Sequence, residues 1–306
     1  MEIFFHILYN NVVPLFIMIL IGMAVQKKYH LDVKILTRLL FTIYMPVFVF
    51  VQMYQIDISV EILKETLIFL VLLHILLYLL TKLYIKVKGI EKEKAAAIIN
   101  SVLYYNCGNY GIPLIMLVFP GNSLAFSIQI IVIVFQTILP FTHGIITINA
   151  GKKPLKEICL DLAKLPFLYA IPLGYLFQYL NIKIPNPILI PLNYVYDGFI
   201  AIALLTLGFQ LANISWRFSF NKVLITNILR LIISPIIALF IVTLFGITGV
   251  TAQVLIISSA VPTALNVVLL AIEYDNEPEF ASQVVLSTTI LSVITMTLVI
   301  VLVRLI

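Results

Sequence analysis

Ten long apolar runs alternate with short polar connections, and that alternation leaves very few folds open to the chain. Read against their polar punctuation, the runs cover residues 4–26, 31–53, 62–85, 94–119, 123–148, 163–180, 187–212, 219–246, 250–272 and 280–305. A helix that crosses a bilayer needs about 20 predominantly apolar residues, and each run falls near that length. Composition agrees: 62% of the 306 residues are hydrophobic and 11% charged, whereas soluble domains are about half apolar and about a quarter charged. The chain is therefore expected to be an all-α integral membrane protein with ten transmembrane helices and no soluble domain. No Lys or Arg precedes the first run, and no small-residue cleavage site stands before Lys27. That run is read as a retained helix and not as a signal peptide.

Charge orients the helices. Counting Lys and Arg near the ends of the runs, alternate connections hold fifteen: Lys27, Lys28, Lys34, Arg38, Lys82, Lys86, Lys88, Lys92, Lys94, Lys152, Lys153, Lys156, Lys164, Arg217 and Lys222. The opposite side holds Lys64, Lys183 and Arg304, while Arg230 lies within a run. By the positive-inside rule the connection at 149–162 is cytoplasmic and both termini are extracellular. The expected location is the cell membrane. The net charge of +5 follows from this asymmetry and implies no nucleic-acid partner. Cys107 lies at membrane depth and Cys159 in the 149–162 connection, so they are not expected to pair. No metal-ligand cluster stands out, and no cofactor or metal is expected.

Two runs carry interruptions that lipid would penalise. The fourth reads NCGNYGIP from Asn106 to Pro113, and the ninth reads SSAVPTALN from Ser258 to Asn266. Backbone groups freed by a break are tolerated only inside protein or beside a wet cavity. A proline at the start of a half-helix costs no hydrogen bond, because that N–H has no partner anyway. Pro113 and Pro262 are accordingly expected to open new half-helices. Two half-helix N-termini at mid-depth carry partial positive charge and suit an anion, a carboxylate in particular.

The chain also reads as five runs plus five. Pro14, Gly22 and Gln26 of the first run recur in the sixth as Pro166, Gly174 and Gln178, at an offset of 152 residues. The same offset lays Val102–Leu103 on Val254–Leu255. Because five is odd, the second copy (163–306) would be inverted relative to the first (1–148), an arrangement common in secondary transporters.

These stretches resemble the auxin efflux carrier family. Asn106, Gly111 and Pro113 occupy the positions of its fourth-helix signature; Pro262, Thr263, Asn266, Ala271 and Tyr274 match its ninth. Arg230 with Pro235 is similar to an Arg–Pro pair in its eighth helix, and Asp197–Gly208 resembles its seventh-helix segment. The long cytoplasmic loop of large plant members is absent, so the chain looks like a compact, prokaryotic-type member. The resemblance implies crossed, broken fourth and ninth helices. It also implies a scaffold of helices 1, 2, 6 and 7 and a moving transport domain of helices 3–5 and 8–10. Family members carry small organic anions such as indole-3-acetate, malate or malonate. A second copy of the chain, docked through the scaffold helices, is a candidate partner.

The candidate substrate-binding residues are Asn106, Asn109, Gly111, Pro113, Pro262, Thr263 and Asn266. Asp197 and Arg230 are candidates for gating or coupling, or for a structural ion pair, since an Arg about ten residues into its helix is usually paired. His6, His74 and His143 look isolated, and Pro46 reads as a kink. Trp216 reads as an interfacial anchor. An enzyme is not expected: Tyr196–Asp197 has no second aspartyl motif to form a dyad. A cation or proton antiporter would need carboxylates in the breaks, and neither has one. A non-transporting sensor or scaffold of the same fold is the remaining alternative.

Overall fold

The computed structural model describes residues 2–55, 59–148, 160, 163–214 and 220–304. The 149–162 connection (Leu160 apart), with Cys159, and the stretch holding Trp216 and Arg217 lie outside them. Among the described residues the chain is all helical, with no strand. Seven helices are long and apolar enough to cross a membrane: α1 (Glu2–Tyr29), α2 (Val33–Gln55), α3 (Val60–Lys88), α6 (Ser123–Thr147), α8 (Asn186–Ala212), α9 (Asn221–Leu244) and α12 (Pro278–Val303). The fourth apolar run holds two shorter helices, α4 (Lys92–Leu103) and α5 (Cys107–Val118). The sixth holds α7 (Pro166–Tyr179), and the ninth holds α10 (Gly249–Ser259) and α11 (Asn266–Glu273). Outward faces stay apolar, as lipid requires: α3 exposes Leu67, Val71, Ile75, Leu79 and Leu83 at four-residue spacing.

Proline shapes these helices in a repeated way. Widened π turns at Leu8–Val12, Leu40–Tyr44, Cys107–Gly111 and Leu229–Ile233 each end two residues before a proline: Pro14, Pro46, Pro113 and Pro235. A proline ring collides with the carbonyl four residues back, and the wider turn moves that carbonyl aside. The residue before each proline then bonds five back, as Val13 does to Leu8 and Ser234 to Leu229. Pro46 therefore produces a π turn.

Glycines set two close helix crossings. α1 packs along α8, and α7 packs along α2. A Cβ on Gly22 would lie 2.5 Å from the Leu205 carbonyl oxygen, and one on Gly208 would lie 2.2 Å from that of Ile19. On the other pair, a Cβ on Gly174 would lie 2.7 Å from the Phe50 carbonyl oxygen. Small residues that let backbones touch are a main source of helix association in lipid, where the hydrophobic effect contributes little.

Candidate functional site

The two breaks meet. Past Leu103 the chain becomes extended, and Tyr105 pairs antiparallel with Thr263 in a single bridge. The Asn106 N–H donates to the Pro262 carbonyl at 2.8 Å, and the Ala264 N–H donates to the Tyr104 carbonyl at 3.0 Å. Thr263 Oγ1 donates to the Ser101 carbonyl at 2.8 Å, and the Thr263 N–H donates to Thr288 Oγ1 at 3.2 Å. Gln136 of α6 brackets the crossing, accepting from the Tyr105 N–H and donating to the Leu103 carbonyl, each at 3.4 Å. Each break thus satisfies the backbone groups of the other, which is how an interrupted helix survives away from water.

One expectation is corrected here. Pro113 does stand at the second position of the α-helical part of α5, but Pro262 does not open a half-helix. α11 begins at Asn266, and Pro262 lies in the extended crossing strand, where its carbonyl is the acceptor for Asn106. Its missing N–H leaves the Asn106 carbonyl without a donor across the bridge, and that carbonyl accepts from the Gly111 N–H at 2.9 Å instead.

Arg230 is the second correction. It is fully buried, and its partners are backbone ends, not Asp197. Nη1 donates to the Val102 carbonyl at 2.8 Å, while Nη2 donates to Ser234 Oγ at 2.6 Å and to the Ser259 carbonyl. Its guanidinium also lies 4.6 Å from the centre of the Tyr105 ring. Val102 is in the last turn of α4 and Ser259 ends α10. The last carbonyls of a helix lack intrahelical partners and carry partial negative charge. One cation therefore ties together the C-terminal ends of both first half-helices, and no carboxylate is needed. Asp197 sits exposed on α8, while its neighbour Tyr196 donates to Gln52 Oε1 at 2.9 Å.

Beside the crossing lies a pocket of about 80 Å³. Its walls include Asn106, Cys107, Gly108 and Asn109 from the fourth run and Leu265 and Asn266 from the ninth. Gln136 and Thr137 come from α6, Thr37, Phe41 and Met45 from α2, and Gln210 from α8. No Lys, Arg, Asp or Glu lines it. The side-chain amides of Asn106, Asn109 and Asn266 have no hydrogen-bond partner among the described residues, although Asn109 is only 6% exposed. Buried amides normally find partners, which makes Asn109 the exception here, while Asn106 and Asn266 are partly exposed.

The other candidate residues hold the break in shape. A Cβ on Gly111 would stand 2.6 Å from Gln129 Nε2, which donates to the Cys107 carbonyl at 2.8 Å. Glycine there admits Gln129. Pro113, Pro262 and Thr263 likewise set backbone geometry. The α2 and α8 side of the pocket went unread in the sequence, although polar residues within apolar runs were the available signal. There Gln210 Nε2 donates to Thr37 Oγ1 at 3.2 Å, and Gln210 Oε1 is buried without a partner.

Comparison with known proteins agrees with this architecture. A model of a family described as membrane transport protein matches residues 152–300. An uncharacterized transporter of Methanocaldococcus jannaschii is 29% identical over 297 residues, covering 92% of this chain and 94% of that protein. An uncharacterized transporter of Methanothermobacter thermautotrophicus is 23% identical over 296 residues, covering 94% of this chain and 96% of that protein. Over residues 152–300 the chain is similar to the membrane transport protein family. The matched region spans Asp197, Arg230 and the second break, so the Arg230 clamp and the α11 wall of the pocket lie within it.

Proposed function

We propose that this protein is a secondary transporter for a small organic carboxylate, with its substrate site in the pocket beside the crossed breaks. The observation that carries the reading is the set of three unpartnered amides, Asn106, Asn109 and Asn266, brought to one pocket by the two breaks at the starts of α5 and α11. The first N–H groups of a helix lack internal partners and favour negative charge. Amide donors and the positive end of α5 can hold a carboxylate without a fixed cation; at α11 the Val267 and Val268 N–H groups are already bonded to the Ala264 and Leu265 carbonyls. The pocket exceeds the roughly 30 Å³ that one water occupies, and its size supports an anion of malonate or malate dimensions over an indole.

The wider reading is ten membrane crossings arranged as two inverted five-helix repeats, residues 1–148 and 163–306 about the 149–162 linker. Gly22 and Gly174, equivalent at the 152-residue offset, support it, because each touches the backbone of the partner helix that inversion would assign. The pocket lies between α2 and α8 on one side and the breaks on the other, the arrangement that alternating access needs if the breaks slide past a scaffold. The scaffold would comprise α1, α2, α7 and α8, and α3–α6 with α9–α12 would form the transport domain. Asp197, exposed along α8, supports docking of a second copy through that scaffold, since a carboxylate facing lipid is costly. The Lys and Arg asymmetry supports a cytoplasmic linker in the cell membrane.

A thermal-shift screen of purified protein against carboxylates of increasing size tests the reading. Stabilisation by malonate or malate, absent with their neutral amides, is expected. Stabilisation by inorganic cations alone would favour an antiporter instead.

A further inference from the structure

His74 and His143, isolated from each other in the sequence, come together in the fold. Their ring centroids are 5.1 Å apart, with the planes at 80°. Tyr104 Oη lies 2.9 Å from His143 Nδ1, and Nδ1 of His74 is buried without a partner. Tyr104 is fully buried and belongs to the crossing: its carbonyl accepts from the Ala264 N–H, and Tyr105 follows it in the bridge to Thr263. One side chain therefore joins an imidazole pair to the strand that shapes the pocket.

The surroundings limit what the pair can hold. From α3, Tyr78 packs on His143 at 5.1 Å, with Lys82 over the Tyr78 ring at 5.4 Å. From α4 comes the polar Asn100, whose Nδ2 donates to the Gly144 carbonyl at 3.3 Å, and just past its end comes Tyr104. From α6, Phe135 meets His74 edge-on, and from α11 Tyr274 packs near Ile145. The stretch of α9 from Ser234 to Leu244 and all of α10, which also contact α3, carry no titratable side chain. Two cationic imidazoles this close in a poorly polarisable interior repel strongly, so the arrangement accommodates one proton and not two. The tautomer of His143 sets the direction of this bond: Tyr104 donates to a bare Nδ1 and accepts from a protonated one, and the imidazolium leaves it only the second role.

We propose that His74 and His143 form a single-proton site whose occupancy is transmitted through Tyr104 to the crossing strand. On the transport reading above, on which this meaning rests, the proton is a coupling ion for the carrier.

The test uses full-length protein carrying His6→Gln, His30→Gln and Cys159→Ser, so that the pair and Cys107 are the only imidazoles and thiol left. Proton uptake is counted between about pH 8 and about pH 4 in this background and in His74→Gln, His143→Gln and the double variant. A shared one-proton site predicts no loss in either single variant and loss of one proton in the double. Loss of one proton in each single variant and two in the double, or no loss in the double, would overturn it. If the double variant does not fold, imidazole nitrogen spectra of the background protein give the same count: one cationic ring supports the site, none or two refute it. The link to the crossing is read from alkylation of Cys107 in the pocket wall. Its pH profile should differ between the background and Tyr104→Phe, and identical profiles would sever the link. Neither readout needs a transported substrate, so their failure and the failure of the transport reading are separately visible.

Discussion

Asn106 is the residue on which the account presses hardest. Its backbone N–H is committed to Pro262, while its side-chain amide is free at the pocket wall. Replacing it with Ala should leave the crossing intact and remove one hydrogen bond to a charged ligand, worth about 1.5–3 kcal/mol, or roughly 10- to 150-fold in affinity. Asn266→Ala should act alike from the other break; wild-type affinity in folded Asn106→Ala protein would take that residue out of the site. Asn122 is the informative contrast. As a residue of the short connection before α6 it reads as inert, yet its Oδ1 caps α6 by accepting from the Ala125 N–H at 3.0 Å. Asn122→Ala should lower stability by about 1 kcal/mol with anion affinity unchanged, as thermal unfolding and binding isotherms would report. At Arg230 the expectation is structural. Arg230→Met strands the Val102 carbonyl, while that of Ser259 keeps Ser234 Oγ, and should destabilise by about 1–3 kcal/mol, visible as a lowered unfolding temperature. Asp197→Asn should not share that loss; equal losses would revive the ion pair. The sequence made Arg230 conspicuous, but a helical run does not say which partner a side chain faces. Helix ends broken elsewhere in the chain could not be foreseen as its acceptors.

Among the elements, apolar length was enough to place the seven long helices, and Gly, Asn and Pro were enough to mark both breaks. What stayed hidden was the geometry inside the breaks. Pro262 suits an extended strand as well as a helix start, because both accept its fixed φ, and only pairing with Tyr105 decides between them. The π turns before Pro14, Pro46, Pro113 and Pro235 follow from proline sterics, yet a kink is an equally good local solution. His74 and His143 lie on α3 and α6, and nothing local to either announces their meeting. The glycine contacts make a sharp test at this scale. Gly22→Ala and Gly174→Ala each force a Cβ against backbone at under 3 Å, which should cost about 1–3 kcal/mol as overpacking. Gly108→Ala meets only Met45 Cε at 3.6 Å and should be stable. Thermal melts of the three variants check this, and a tolerated Gly174→Ala would undo the proposed equivalence of the two glycines.

At the scale of the whole molecule, orientation rests on a charge count and function on a pocket between two groups of helices. A single cysteine placed in the 149–162 linker should resist impermeant reagent in intact cells and react once the membrane is opened; labelling from outside would invert the topology. Similarity to a membrane transport family and the helical membrane architecture were legible from the sequence, because lipid imposes strong compositional rules. The pocket's far wall was less so, since Thr37 and Gln210 acquire meaning only when α2 and α8 are brought opposite the breaks. The central claim is that the crossed breaks bind a carboxylate and carry it across. Uptake of labelled malonate by sealed proteoliposomes preloaded with unlabelled malonate tests it most directly. Saturable exchange by the wild-type protein, strongly reduced in folded Asn106→Ala and Asn266→Ala, is the predicted result. Exchange that runs unchanged through both variants would contradict the account.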